Sequence, residues 1–229
     1  YSCFYVGRYE AVLASTITEF TKNQKHTGSN QVYNIDGIPQ NKAGVIPWMF
    51  IDWAHSKANA ESMYNNNYVS SGLITGTQWD VILNTMKSKA GLSDSDITNN
   101  NSWGNYKNKQ LTFTGRKALA SYSGSIWVLA PFGMQTTNET KGTYSGNGGE
   151  VLTTGASATT QKYHIFDIAG NLWEWTEEDS HYATSGQYRV YRGGDSLHTS
   201  SDYPACYRHY VPVSYTALTL GFRVVLYIK

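Results

Sequence analysis

Charge is scarce in this sequence. Lys, Arg, Asp and Glu make up 15% of its 229 residues, against a norm of roughly 25%. Eighteen basic and 17 acidic residues leave a net charge of +1. Such a chain has neither the basic field that holds nucleic acid through its phosphates nor an acidic tail. Cysteine is scarcer still. Cys3 and Cys206 are the only two, too few for a disulfide framework and not spaced as C-x-x-C, which leaves the compartment open. No apolar run approaches the roughly 18 residues of a membrane span. Ile126 to Phe132 contains a proline and stops well short of that length, so membrane insertion is not expected. The chain opens at Tyr1 rather than Met and shows no signal-peptide pattern. It therefore reads as a processed chain or a piece of a longer protein.

What is present is apolar and aromatic. Hydrophobic residues are 40%, enough for a sizeable core. Polarity comes from neutral hydrogen-bonding side chains, with 23 Thr and 17 Asn beside many Ser. There are 18 Tyr and 7 Trp. Tyr and Trp among Ser, Asn and Gly compose paratope-like surfaces. They equally compose a loop-rich β protein with wet edges.

Along the chain, Cys3 to Leu13 is rich in aromatic and β-branched residues and reads as a strand. Thr21 to Gln40 reads as loop. Phe50, Ile51, Ala54, Ala58 and Met63 have near-helical spacing and predict a helix over Trp48 to Tyr64, ended by Asn65 to Asn67. A second helix is expected from an N-cap at Thr77, with Asp80 three residues on, to about Ala90. Trp79, Ile82 and Met86 mark its buried face and Gly91 stops it. From Leu92 onward short β-rich segments are broken by Gly, Ser and Asn, with no further helix expected. The chain reads as one α+β domain over 1–229 with two helices and short antiparallel strands.

Three patches are specific. Asp167-Ile-Ala-Gly-Asn-Leu-Trp-Glu-Trp-Thr176 contains a tight turn at Gly170-Asn171, since both types tolerate positive φ. Leu172, Trp173 and Trp175 then supply large area for burial. Tyr188-Arg-Val-Tyr-Arg-Gly-Gly-Asp-Ser196 follows a strand with two glycines that let the backbone bend. Leu220-Gly-Phe-Arg-Val-Val-Leu226 alternates little and reads as a final strand buried on both faces. In order and spacing these patches resemble the formylglycine-generating, sulfatase-modifying family, with its D-x-x-G-N-x-W-E-W, R-G-G-S-type and G-F-R motifs. Ser102-Trp103-Gly104-Asn105 is similar to the family's W-G-N segment, and Leu73 to Val81 stands where the family has a short helix with a Trp. The resemblance implies a loop-rich C-type-lectin-like fold of the formylglycine-generating subtype. Arg223 is expected to pair internally with a carboxylate such as Glu174 or Asp167.

The resemblance points two ways on function. The family's enzymes oxidise a substrate cysteine with copper held by two nearby thiolates, as a soft metal requires. Here Gly194 to Arg208 holds Cys206 alone, and Leu197-His198-Thr199 stands at the upstream position. His198 or His209 beside Cys206 reads as a copper or zinc ligand or, more simply, as a surface side chain. The other branch is the variable proteins of diversity-generating retroelements, the phage tropism determinants among them. There Asn codons AAY become NNY, which cannot encode Lys, Glu, Gln, Met or Trp. Those five types supply 39 of the 229 residues, and none stands between Asp195 and Thr219. With uniform composition the chance of that is about one in a hundred. No Asn follows Asn171.

The expected function is therefore ligand binding through a diversified surface over residues 195–219. The alternatives are a copper-dependent oxidoreductase of the formylglycine-generating type and a fixed adhesive surface domain. The expected contact residues are Leu197, His198, Tyr203, Tyr207, His209, Tyr210, Val213, Tyr215 and Leu218, together on one exposed face. Gly193, Gly194, Pro204, Arg208, Pro212 and the strand from Gly221 to Leu226 are expected to form the framework beneath. No catalytic residue and no resident metal or cofactor are expected. Calcium occurs in the fold family; no full set of oxygen ligands matches here, which leaves calcium open. The partner implied is a protein or glycan on another cell or particle, with no nucleic acid, and the location a virion or cell surface.

Overall fold

The computed structural model describes residues 3–13, 25–26, 36–100, 102–114, 117–119, 121–123, 126–128, 139–141, 143, 149–180 and 187–229. The first half carries β1 (Tyr5–Val6), β2 (Val12–Leu13), β3 (Lys25–His26), β4 (Pro39–Gln40), α1 (Trp53–Ser62), β5 (Val69–Leu73), α2 (Gly76–Ala90) and α3 (Asp94–Thr98). Short strands follow: β6 (Leu111–Phe113), β7 (Lys117–Leu119), β8 (Ser121–Ser123), β9 (Ile126–Val128), β10 (Glu139–Lys141) and β11 (Val151–Leu152). The chain closes with β12 (Trp173–Asp179), β13 (Tyr188–Arg192), β14 (His209–Pro212), β15 (Leu220–Phe222) and β16 (Val224–Ile228). The α+β, loop-rich class expected from the sequence is the class observed.

Two sheets organise the molecule. One has the order β1-β16-β5, all antiparallel. The other has the order β14-β13-β12-β15, with β15 parallel to β12 and the rest antiparallel. The remaining strands pair as β2-β4, β6-β10, β7-β11 and β3-β9-β8. One apolar cluster joins α2 and α3 to the first sheet through Trp79, Ile82, Met86, Ile97 and Val225. A second joins the second sheet to the segment before α1 through Trp48, Ile51, Trp175, Leu220 and Phe222.

The helices depart from the sequence pattern in instructive ways. The first begins at Trp53, not Trp48, with Asp52 capping the His55 N–H at 2.9 Å. Residues Trp48 to Ile51 are buried one after another, so they have no solvent face to form an amphipathic helix. They run instead as an irregular strip, Trp48 N–H donating to the Ala11 carbonyl and Phe50 N–H to that of Ala217. The second helix is capped at Thr75 rather than Thr77, in a reciprocal box with Gln78. Asp80 is thereby free for an ion pair with Arg192. Gly91 ends this helix at φ 68°, as expected. The third helix was not expected: it is five residues long, too short to show a period, and Ser93 caps it in a box with Asp96. The Cys3 to Leu13 strand is divided into β1 and β2. Of the Thr21 to Gln40 segment, 21–24 and 27–35 lie outside the described residues, and β3 and β4 occupy its other parts.

The motif residues meet at the centre. Gly170 and Asn171 have φ of 72° and 64°. A Cβ on Gly170 would stand 2.3 Å from the Asn105 carbonyl oxygen, so no other residue fits. The Asn171 amide accepts from Leu152 N–H and Asn105 Nδ2 and donates to Glu10, all within 2.9 Å. Leu172, Trp173 and Trp175 are buried. Arg223, between β15 and β16, pairs with Glu174 at 2.6 Å with both side chains fully enclosed. Its other N–H groups donate to the Gly7 and Phe166 carbonyls at 2.9 Å. Glu174 and Arg223 are structural partners here.

Glu10 and Asp167 are buried in the same region, a surplus of carboxylate over guanidinium. Burial, followed by the Asp167 and Glu174 charges, holds the Glu10 carboxyl well above the ordinary carboxylate range. The native state thus keeps a proton that the unfolded chain releases above about 4.5. Stability is full below that pH and falls as pH rises through the folded-state value. Glu10→Gln loses one accepted hydrogen bond and starts lower, but its urea-unfolding free energy should fall less steeply from pH 5 upward. An unchanged slope would show that Glu10 is ionised in the folded protein.

Candidate functional site

The sheet β14-β13-β12 places an aromatic ladder on one face. Trp173 and Trp175 stand two apart on β12, and Tyr191 on β13 pairs with Trp175. Tyr191 meets Trp173 edge-on at 4.7 Å between centroids and Trp175 at 5.8 Å. His209, opposite Tyr191 across β14, stacks on it at 5.1 Å and 19°. The loop between β13 and β14 then folds two further rings over the ladder. Tyr203 lies 5.3 Å from Trp173, 5.0 Å from Tyr207 and 5.7 Å from His209. The His198 ring meets Tyr203 edge-on at 4.7 Å. Trp173 and Tyr191 are buried beneath, whereas Tyr207 is 40% exposed.

Asp195 organises the start of the loop. It is buried, accepts the Leu197 and His198 N–H groups at 3.0 and 3.1 Å, and takes His198 Nδ1–H at 2.6 Å. Burial would depress the His198 imidazolium, but the bond to Asp195 and its charge outweigh burial and raise its pKa. Burial and then neighbouring hydroxyls and the Asp195 charge keep Tyr191 from ionising. Tyr215 is raised by burial and by the same carboxylate.

The loop backbone is held by groups outside it. Ala205 N–H donates to Asn100 Oδ1 at 2.7 Å, and Trp79 Nε1–H to the Ala205 carbonyl at 2.9 Å. Ser200 N–H donates to Asn108 Oδ1, Ser196 N–H to the Asn171 carbonyl, and Lys107 N–H to the His198 carbonyl. Arg208 is tied by Nε–H to Glu178 at 2.8 Å and also to Asp80, the two carboxylates that hold buried Arg192. The outer edge of β14 is blunted against strand addition. Pro212 has no N–H, its carbonyl accepts Tyr215 N–H, and Tyr210 N–H donates to His209 Nδ1.

Of the nine expected contact residues, His198, Tyr203, Tyr207 and His209 come together in one ring cluster, with Tyr215 packed beside it. Val213 lies half-buried just beyond β14, donating to the Gln187 carbonyl. Tyr210 alternates to the other face of β14, where its ring meets Tyr188 at 6.3 Å. Leu197 leans toward Gly149. Leu218, expected on the surface, is buried at 7% exposure in the turn that leads into β15, where an apolar side chain gains by leaving water. The sequence reading missed Trp173 and Tyr191 as members of the cluster, and Asp195 as its anchor. The Asp195-x-x-His198 spacing was the available signal, since it lets one carboxylate cap its own turn and reach the imidazole.

A copper centre of the kind the family's enzymes use does not fit these residues. Cys206 is half-buried against the Trp79 cluster and its thiol is pushed up by burial. At the upstream position His198 spends Nδ1 on Asp195, and no second thiol is present. Cys3 is exposed and, like Cys206, free. Among the described residues no three His, Cys, Asp or Glu side chains converge as a metal site. No described helix is long and apolar enough to cross a membrane.

Short strands around two small sheets, few helices and long tethered loops define a C-type-lectin-like domain. The chain belongs to the sulfatase-modifying factor enzyme 1-like domain family, whose model matches residues 6–228. Among solved structures, the crystal structure of CarF matches with a TM-score of 0.56 at 15% identity, over 99% of this chain and 87% of that one. Variable protein 1 of Treponema denticola matches with a TM-score of 0.48 at 16% identity, over 97% and 84%. No curated protein matches the chain in sequence.

The Asp195 bond is testable by NMR. His198 should titrate above 6.5, the ordinary histidine value. In Asp195→Asn the carboxylate charge that raises the value is lost, while burial and Lys107 still lower it against Asp202 alone, so the value should fall. A His198 value that does not move would mean that the carboxylate is not its partner.

Proposed function

We propose that this domain binds a protein or glycan ligand, displayed by another cell or particle, through a diversified face built from residues 195–219. The observation that carries the reading is a coincidence of two independent features. The window free of Lys, Glu, Gln, Met and Trp is also the segment that lays His198, Tyr203, Tyr207 and His209 in one cluster. Its backbone is tethered by Asn100, Asn108 and Trp79, all outside the window. Side chains there can change while the tethers remain, which diversification requires. Tyr and His offer large contact area with few torsions to freeze, so they anchor recognition at low entropic cost. The placement on a virion or cell surface follows from this reading.

Sequencing the gene's neighbourhood tests it. A reverse-transcriptase gene with a near-copy of codons 195–219, differing only where the copy has adenine, is the expected result. A locus with neither feature would leave a fixed adhesive domain. The single half-buried thiol also leads to the expectation of no cysteine-oxidising activity. Incubation with copper and a sulfatase-type peptide should leave the peptide mass unchanged. Formylglycine produced in a Cys206-dependent way would overturn the binding reading.

A further inference from the structure

Trp173 and Tyr191 lie on β12 and β13, outside the window, yet they form the floor under its rings. They are 5% and 7% exposed. What lies over them are side chains of the window itself. Tyr203 and His209 stand 5.3 and 5.9 Å from the Trp173 ring, and Tyr207 stands 6.5 Å from it. His209 also stacks on Tyr191. How much of the floor reaches the surface is therefore set by the residues at 203, 207 and 209. Large rings there close the floor, and small residues open it.

We propose that Trp173 and Tyr191 are the constant floor of a pocket whose depth the window sets, and that the pocket takes a flat six-membered ring from the ligand. This rests on reading the face as a binding face. The occupant follows from what fills the space now. Tyr203 is the hub: its phenol ring touches Trp173, His198, Tyr207 and His209 at centroid distances of 4.7 to 5.7 Å. Three of those walls, Trp173, His198 and Tyr207, already accept a phenol edge-on, a geometry that aromatic pairs prefer. When the side chain at 203 is small, the same slot accepts a ring of that thickness from outside. The floor belongs to β12 and β13, which pair at Glu174–Arg192 and Trp175–Tyr191 and, past a bulge, at Asp179–Arg189, with Thr176 Oγ1–H held on the Val190 carbonyl at 2.8 Å. An opened slot on so firm a base stays open rather than collapsing, as apolar cavities in well-packed proteins do. Trp173 and Tyr191 thus give every variant of the face one shared contact, and the window decides whether a ligand reaches it.

The test uses Tyr203→Ala and p-cresol, which is the tyrosine side chain as a free molecule. Near-UV circular dichroism first establishes that the variant is folded. At ten times its dissociation constant, p-cresol should raise the variant's Tm by about 3–5 °C, and the parent's by far less. Myo-inositol, a six-membered ring without an apolar face, should raise neither. Adding Trp173→Leu to Tyr203→Ala should weaken p-cresol binding at least tenfold, as read by NMR line shifts. Where Tyr203→Ala does not fold, Tyr207→Ala, which truncates a more exposed ring, is read in the same way. A folded variant that ignores p-cresol, or that binds it equally well without Trp173, overturns the pocket. No natural partner enters this experiment, so a negative result leaves the binding face standing. A locus without a template repeat, in turn, leaves the pocket result standing.

Discussion

The ion pair between Arg223 and Glu174 is the constraint around which the fold is arranged. Neither side chain reaches solvent, so neither charge is tolerable without the other. Removing one partner of such a pair costs about 3–5 kcal/mol because the other charge is left buried. The pair contributes less to net stability than to choice of structure. Arg223 has five donors in a fixed fork, and they reach Glu174, Gly7 and Phe166. The N-terminal strand, the turn before the tryptophan motif and the C-terminal strand must all be in register for that fork to be satisfied. Regular secondary structure is sparse here, and much of the chain's long-range order is carried by buried side-chain hydrogen bonds of this kind.

A second layer of the same logic supports the loop between β13 and β14. Its backbone amides and carbonyls are met by side chains and backbone from distant segments: Asn100, Lys107, Asn108, Asn171 and Trp79. Loops held mainly by their own side chains lose shape when those side chains change. A loop held from beneath by framework groups keeps its path, and only the outward-facing residues are free. Asp195 and Thr199 are exceptions, since they lie inside the segment and cap its own turns, Thr199 Oγ1 accepting the Asp202 N–H at 3.2 Å. Asp195, Pro204, Ala205, Thr216 and Leu218 are buried members of the segment, and their identity matters to the fold.

Much of this was legible in the sequence, and the failures have physical reasons. The three motif patches, the burial of Leu172, Trp173 and Trp175, and the Arg223 partner followed from residue types and resemblance. The second helix was legible because Trp79, Ile82, Leu83 and Met86 bury one stripe and Gly91 gives a left-handed stop. The start of the first helix was not, because a run of apolar residues buried all round carries no helical period. A five-residue helix carries too little period to be recognised. At the site, residue chemistry identified His198, Tyr203, Tyr207 and His209, but strand parity put Tyr210 on the opposite face, and burial removed Leu218. Parity depends on where β14 starts, and no sequence signal marks that start within two residues.

Membership of a family that contains enzymes does not by itself assign their chemistry to this chain, since function resides in the site and not in the scaffold. The second and third motifs show how the two separate. Arg192 and the glycines at 193 and 194 retain their structural work: Arg192 is fully buried between Asp80 and Glu178. Gly194 at φ 72° admits the Tyr203 carbonyl at a distance no side chain would allow. The residue that follows them is where the change falls. Asp195 stands where the family pattern has serine, and its carboxylate holds the His198 ring in its own turn through Nδ1. Cys206 then packs beside Trp79 as a small apolar group, its thiol kept protonated by burial. With the upstream thiol replaced by an imidazole already committed to a carboxylate, the soft-donor pair that copper needs is gone. The same turn now offers rings to solvent.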